Sequence, residues 1–279
     1  MPATLFVVAT PIGNLEDLTF RALRVLREVD LIAAEDTRRT AKLLARYDVR
    51  KPVVSLREHN ETRQTPRLVA RLAGGESIAL VSDAGTPGIA DPGALLVRAA
   101  RDAGLPVVPV PGPSAVTAAL SVSGLDIDQF VFMGFPPASG KARNDWFYQL
   151  SAETRTVVFL EAPHRIRKTM DQATLLVKRH IYVMREITKK HEEYVTCTNT
   201  YIPGSIEEKG EFTIVVEPAH NDDVTIDKKV VYEMFMRLHD QAGFDVGHAL
   251  TLVGCALGID KNRVKNIVRK VDILVKQQN

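Results

Sequence analysis

The sequence predicts an α/β protein of two domains followed by a small all-α module. Three observations carry that expectation. Short β-rich runs alternate with amphipathic stretches, and three of the runs end in rigid Gly/Pro turns. Beyond Gly124 the strands lie closer together. Beyond about residue 220 the β signal disappears. The expected division is 1–120, 121–220 and 221–279.

The first run, Leu5-Phe6-Val7-Val8-Ala9, ends in Thr10-Pro11-Ile12-Gly13-Asn14. Phe20, Leu23 and Leu26 then space an amphipathic helix, and Leu31-Ile32-Ala33-Ala34 is the next strand. That strand delivers Glu35-Asp36-Thr37-Arg38-Arg39, in which Asp36 or Thr37 caps a helix carrying Leu43 and Leu44. Val53-Val54-Ser55-Leu56 is another strand, followed by a polar run, Arg57-Glu58-His59-Asn60-Glu61, of the kind that is usually a solvated loop. A helix with Leu68, Val69 and Leu72 stops at Gly74-Gly75.

Ile78-Ala79-Leu80-Val81 leads into the most informative stretch, residues 82–93: Ser-Asp-Ala-Gly-Thr-Pro-Gly-Ile-Ala-Asp-Pro-Gly. Glycines let backbone amides approach a ligand, and prolines limit the entropy lost on binding. Val107-Val108-Pro109-Val110 ends in a third such turn, Pro111-Gly112-Pro113-Ser114-Ala115, and opens a small-residued helix over Ala115–Val122. Strands ending in rigid loops place a ligand at the carboxyl edge of an open sheet. None of the loops is a G-x-G-x-x-G fingerprint or a P-loop, so the site is not built for a pyrophosphate.

In the second part, strands are expected at 130–135, 156–160, 181–184, 194–197 and 212–216, with a polar loop at 138–144. This pattern reads as an α+β domain with a partly antiparallel sheet. Residues 219–223 read as a linker. Helices are expected over 227–241, 245–257 and 260–276, the last two joined at Gly258-Ile259 with Asp260 as N-cap, in a helix-turn-helix pattern. The last helix carries Lys261, Arg263, Lys265, Arg269, Lys270 and Lys276, which is either a solvated basic face or an RNA-docking one.

Composition narrows the function classes. The 279 residues are 45% hydrophobic and 25% charged, as in ordinary soluble proteins. Net charge is +2, so any basic surface must be local. Cys197 and Cys255 lack metal-ligand spacing; neither a zinc site nor a disulfide framework is expected, and a reducing cytoplasm is. No signal peptide or membrane span is expected.

Six of these stretches, taken together, resemble one family. They are Ala9–Leu15, Ala34–Arg38, Ser82–Gly93, Pro111–Ala115, Glu161-Ala162-Pro163-His164-Arg165 and Arg185-Glu186-Ile187-Thr188-Lys189-Lys190. In order and spacing they resemble the bacterial small-subunit rRNA methyltransferase I family, of the tetrapyrrole-methylase-like, class III, S-adenosylmethionine-dependent methyltransferases. The resemblance covers residues 4–217. It departs at Arg57, where a histidine or another residue is usual, and at Ala162, where a serine is common.

The resemblance implies a two-domain α/β fold binding S-adenosyl-L-methionine between its domains, a homodimer, and a 2′-O-methylated cytidine at the decoding site of 16S rRNA as product. It assigns Ile12, Ala84, Gly85, Thr86, Ile89, Ser114, Ala115, Glu161 and Cys197 to cofactor contact. Methyl transfer is an in-line displacement needing alignment and no metal, and a weak hydroxyl nucleophile profits from a base. Glu35 or Asp36 is the candidate base, and Arg38 or Lys189 the candidate orienting cation. The competing reading makes these residues structural ion pairs. Two other functions stay open at this point: a tetrapyrrole methylase, which would not require the basic tail, and a nucleic-acid-binding regulator with S-adenosylmethionine as effector.

Overall fold

A computed structural model of the chain describes residues 3–125, 127–177, 179–198, 206–219, 228–241, 243–257 and 261–278. The first part runs β1 (Leu5–Val8), α1 (Phe20–Glu28), β2 (Leu31–Ala34), α2 (Thr37–Arg46), β3 (Val53–Ser55), α3 (Glu61–Ala73), β4 (Ile78–Val81), α4 (Ala94–Asp102) and β5 (Val107–Val110). Its five strands form a parallel sheet in the order β3-β2-β4-β1-β5. β2 and β4 are buried at every position, as continuous apolar runs in a doubly covered parallel sheet must be. Leu26 of α1 and Leu43 and Leu44 of α2 pack on one face, against Ile32 and Ala79. Leu68 and Leu72 of α3 and Leu96 of α4 pack on the other, against Leu31 and Leu80. Each such leucine contributes about 1.5–3 kcal/mol when fully buried. α1 starts where it does because the Thr19 hydroxyl accepts from the Ala22 amide at 3.0 Å.

The order of strands creates one special place. β1 and β4 are neighbours, but the helix after β1 lies on one face and the helix after β4 on the other. Their carboxyl ends therefore diverge into a crevice, the position where open α/β sheets bind ligands.

The second part runs α5 (Ala115–Val122), β6 (Phe130–Phe132), α6 (Gly140–Ala152), β7 (Thr156–Glu161), α7 (Ile166–Leu176), β8 (Ile181–Arg185), β9 (Glu193–Cys197) and β10 (Phe212–Val216). The sheet order is β6-β7-β10-β8-β9; β6 and β7 are parallel, and the other pairs antiparallel. Alternation along the strands splits the core in two. Val157, Phe159, Ile214 and Val216 face α6 and α7, whereas Val158 and Val215 face Ala119 and Leu120 of α5. The boundary expected at 120/121 thus falls inside a helix whose apolar face packs on the second sheet.

The polar loop expected at 138–144 is instead the first turn of α6. The helical period is hidden because one of its inward positions is an arginine. Arg143 is only 3% exposed and lies on the same face as Trp146, Phe147 and Leu150. Its guanidinium donates to Gln172 Oε1 at 2.9 Å, Pro137 O at 3.0 Å and Thr169 Oγ1 at 2.8 Å, and sits 4.9 Å from the centre of the Phe147 ring.

The tail consists of α8 (Lys228–Met236), continuing as a wider turn over Arg237–Gln241, then α9 (Val246–Leu257) and α10 (Lys261–Gln278). Val231, Phe235, Leu250, Val253 and Val264 join the three helices in one core. α8 packs on both α9 and α10, so the expected helix-turn-helix pair is part of a three-helix cluster. The turn at Gly258-Ile259, the cap at Asp260, the helix start at Asp227 and most of the 219–223 linker lie outside the described residues. Among the described residues no helix is long and apolar enough to cross a membrane, and no cluster of His, Cys, Asp and Glu could hold a metal.

Because Arg143 ties α6 to α7 and to the turn after β6, Arg143→Ala is expected to destabilise the protein by about 2–4 kcal/mol. Urea unfolding followed by fluorescence of Trp146, the single tryptophan, measures this directly.

Candidate active site

The crevice is closed off by backbone. Thr10 and Gly85 exchange hydrogen bonds across the ends of β1 and β4, with Thr10 N to Gly85 O at 2.9 Å and Gly85 N to Thr10 O at 3.0 Å. The Thr10 hydroxyl adds a bond to Ser82 O at 3.2 Å. Gly85 has φ +75°, a left-handed conformation that suits glycine. Downstream, Gly93 (φ +127°) lies so close to β4 that a Cβ would stand 2.7 Å from Leu80 Cδ2. The buried Glu61 carboxylate then accepts from the Gly93 and Leu95 amides at 2.9 and 3.0 Å, anchoring the far end of the 82–93 loop at the start of α4. The polar run 57–61 is thus only partly solvated: Arg57, Glu58 and His59 are exposed, whereas Asn60 and Glu61 are buried. Its Arg57 donates to Glu35 O at 2.9 Å and pairs with Asp36 at 3.5 Å, fixing the segment after β2.

A cavity of about 370 Å3 opens between the two sheets. Of the residues the sequence singled out, Ile12, Glu35, Ala84, Gly85, Thr86, Ile89, Ser114, Ala115 and Glu161 line it. Segments from four strand ends of the first sheet, β1, β2, β4 and β5, thus meet β7 of the second around one space. Its walls also contain Phe132, Phe135, Leu160 and Phe212, an apolar surface suited to a flat aromatic group.

Four expected site residues lie elsewhere. The Asp36 carboxylate caps α2, accepting from the Arg38 amide at 2.8 Å, and that bond holds its pKa below the ordinary value. It is a cap rather than a base. Arg38 is exposed on the outer side of α2; the next residue, Arg39, reaches the cavity, where it pairs with Asp83 at 3.4 Å. A helix turns 100° per residue, so the choice between adjacent arginines depends on helical phase.

Lys189 is a strut. Its ammonium is held by Glu186 at 2.8 Å and Glu211 at 3.1 Å, and its stem presses on Gly13 of the first loop. Cys197 is fully buried in a core with Ile181, Phe147 and Ile206 on the edge strand β9, which among the described residues pairs only with β8; the cavity is lined from β10 instead. Burial pushes its thiol up to about 11.

Glu161 ends β7 at the cavity wall. Its side chain is inaccessible, accepting from Thr169 Oγ1 at 2.5 Å and the Ala162 amide at 2.8 Å and facing Arg165 at 3.0 Å. The carboxylate is committed to the protein, so Glu161 shapes the cavity wall rather than offering a free charge to it.

The acids that do face the cavity are Glu35, Asp83, Asp91 and Glu211. Asp83 and the 35–36 segment are cross-linked: the Asp83 amide donates to Glu35 Oε2 at 3.3 Å, and the Asp36 amide donates to Asp83 Oδ1 at 2.9 Å. Burial raises the Glu35 carboxyl, opposed by its bond from the Asp83 amide. Burial, and next the Glu35 charge, push Asp91 up to about 6. Asp83 and Asp91 belong to the 82–93 stretch singled out in the sequence, whereas Glu211 does not stand out there, because it meets them only through folding of a distant loop. The space they enclose suits a cationic group with an apolar, aromatic end.

The basic residues Lys261, Arg263, Lys265 and Arg269 of the tail are not part of this cavity's lining. Lys261, Lys265 and Arg269 are exposed along α10, four residues apart and so on one face, while Arg263 is half-buried.

Comparison with known proteins bears on what the cavity is for. A family model described as Tetrapyrrole (Corrin/Porphyrin) Methylases matches residues 4–202. A protein of Xylella fastidiosa strain Temecula1 named ribosomal RNA small subunit methyltransferase I is 50% identical over 229 residues, spanning 80% of this chain and 84% of that one. Its namesake from Halalkalibacterium halodurans is 40% identical over 280 residues, covering 95% and 94% of the two chains. Among solved structures, diphthine synthase superposes with a TM-score of 0.60 at 15% identity, over 77% of this chain and 90% of that one. The uroporphyrin-III-C-methyltransferase of Thermus thermophilus does so with a TM-score of 0.56 at 21% identity, over 77% and 94%. These structural likenesses establish a shared fold.

Asp91 gives the site a pH signature. Its folded-state pKa of about 6 lies above the unfolded carboxylate value, so the folded protein binds the extra proton and stability falls as pH rises from about 4 through 6. Asp91→Asn removes that dependence. Relative to wild type, the variant is expected to gain about 1 kcal/mol between pH 4 and pH 7 in urea unfolding, after allowing for solvent screening of a partly exposed group.

Proposed function

The chain belongs to the tetrapyrrole methylase family, in its ribosomal RNA small subunit methyltransferase I branch, and from that membership we propose that it methylates the 2′-hydroxyl of a decoding-site cytidine in 16S rRNA with S-adenosyl-L-methionine as donor. One observation supports the cofactor most directly. Ile12, Ala84, Gly85, Thr86, Ile89, Ser114 and Ala115, drawn from three separate motifs, wall a single cavity that also holds four carboxylates. S-adenosylmethionine has a sulfonium and an ammonium, and it supplies an electrophilic methyl group. Asp83, Asp91 and Glu211 would hold its cationic part, and Phe132 and Phe135 its adenine.

The protein's own contribution is alignment and proton handling. Rigid strand-end loops hold the reacting groups in line without an ordering step at the moment of reaction. Glu35 is half-buried at the cavity edge with its pKa raised above the ordinary carboxylate value, as suits a general base for a weak hydroxyl nucleophile. Arg39, exposed on the other side of Asp83, is the cation placed to steer the substrate's phosphate or ribose, in the role expected of Arg38. Lys261, Arg263, Lys265 and Arg269 of the tail are proposed as further RNA contacts, and a homodimer in the cytoplasm as the working form.

A tetrapyrrole methylase of the same fold is the second reading; the basic tail favours the RNA substrate over it. Labelled S-adenosylmethionine is incubated with the protein and unmodified 30S particles, naked rRNA or precorrin-type compounds. Ribose label on 16S rRNA is expected, and label on the tetrapyrrole alone overturns the proposal. Glu35→Gln should lower turnover roughly 100-fold with cofactor affinity unchanged, as measured by single-turnover kinetics and calorimetry. Wild-type turnover in that variant excludes the base assignment.

A further inference from the structure

The outer face of α2 is uniformly basic. Thr40, Leu43 and Leu44 point into the core, while Arg38, Arg39, Lys42 and Arg46 are exposed, and no Asp or Glu occurs between residues 37 and 46. Arg38, Lys42 and Arg46 follow at four-residue steps, about 6 Å apart along the helix. Both steps are like-charge i, i+4 pairs, each unfavourable by a few tenths of a kcal/mol. Arg38 and Arg39 also stand in the first turn, where the helix dipole disfavours cations.

Several other surface cations are matched: Arg24 with Glu28, Arg71 with Glu76, Arg155 with Glu153 and Arg167 with Glu208. Among the described residues, the side chains of Arg38, Lys42 and Arg46 make no ion pair.

Its position is informative. Arg39 and Asp83 line both the main cavity and a smaller recess of about 120 Å3, whose other walls include Lys42, Thr40 and Thr10. The basic face therefore runs from solvent to the mouth of the cavity. The cavity itself is lined by acids, which repel phosphate.

We propose that the outer face of α2, through Arg38, Lys42 and Arg46, is a docking surface for the sugar-phosphate backbone of the RNA substrate, feeding the target nucleotide past Arg39 into the cavity. The proposal rests on the RNA reading given above and adds to it the surface that grips the chain. Cations that bind phosphates fix register and orientation and carry no sequence information. They also make binding salt-dependent, each neutralised phosphate adding about 0.7–0.9 to the slope of log affinity against log salt.

The test compares wild type with Lys42→Ala/Arg46→Ala, two exposed positions outside the main cavity's lining. Affinity for unmethylated 30S subunits and for a naked 16S rRNA fragment is measured across a salt series. Expected are a roughly tenfold loss for both RNAs at low salt and a salt slope shallower by about 1.5, with S-adenosylmethionine affinity and melting temperature unchanged. Adding Arg38→Ala should deepen both effects. Wild-type affinity and slope in the variant overturn the proposal. So does a loss confined to 30S subunits, which would assign the face to a ribosomal protein. If wild type itself transfers no methyl group to RNA, the functional reading fails independently of the variant.

Discussion

The site depends on the paired hydrogen bonds between Thr10 and Gly85. β1 and β4 lie side by side, but their following helices part to opposite faces of the sheet, and without a tie the two loops would splay. The bridge locks them instead, and each loop is then attached elsewhere. The first presses Gly13 against Thr188 and Lys189 of the second domain, leaving no room for a side chain, and Asn14 N donates to Thr188 Oγ1 at 3.0 Å. The second is linked through Asp83 to the segment after β2 and through the Gly93 and Leu95 amides to Glu61. One backbone pair thus fixes three strand ends relative to each other and to the opposite domain. A cavity assembled this way is formed before any ligand arrives, which favours affinity and alignment alike.

Much of this is legible in the chain because rigid loops carry their own signature. Pro11, Gly13, Gly85, Pro87, Gly88, Pro111 and Gly112 restrict or extend backbone freedom locally, so three loops can be placed after strands and seen as one kind of feature. The rest is settled by tertiary contact. α6 is hidden by the buried Arg143, a residue whose polarity argues for solvent unless its partners Gln172 and Thr169 are known. Arg38 and Arg39 look alike in the sequence because one residue of helical phase cannot be read from a capped polar cluster. Cys197 matches by spacing, but strand pairing puts β9 at the sheet edge and makes β10 the wall.

The distribution of charge separates two tasks. Within the cavity, burial and then the charges of Glu35 and Asp83 raise the pKa of Asp91 to about 6, while Arg39 and Lys189 restrain Asp83 and Glu211. An acidic, partly apolar space attracts a sulfonium and repels a phosphate. Cations gather outside it, on α2 and on α10. An enzyme whose donor is cationic and whose acceptor is a polyanion needs this division, because a single sign of field would favour one substrate at the expense of the other. Arg39 stands at the border, paired with an acid of the cavity yet 62% exposed at its side chain.

The seam between the domains shows how the second domain contributes without supplying a free charge. Glu186 and Thr188 have φ of +55° and +68°, conformations that cost non-glycine residues roughly 1–3 kcal/mol each. They are held there by the Glu186–Lys189–Glu211 ion pairs, by the Glu186 amide donating to Glu211 O at 2.9 Å, and by the Glu192 carboxylate on the Thr188 amide at 2.6 Å. Gly210 is part of the same arrangement, since a Cβ there would meet the Glu186 carboxyl. The strain serves geometry: it turns Thr188 toward Asn14 and leaves Gly210 and Glu211 on the cavity wall. Lys189 is not among the residues that line the cavity. Its charge is neutralised by two acids, and its stem packs against the 10–14 loop.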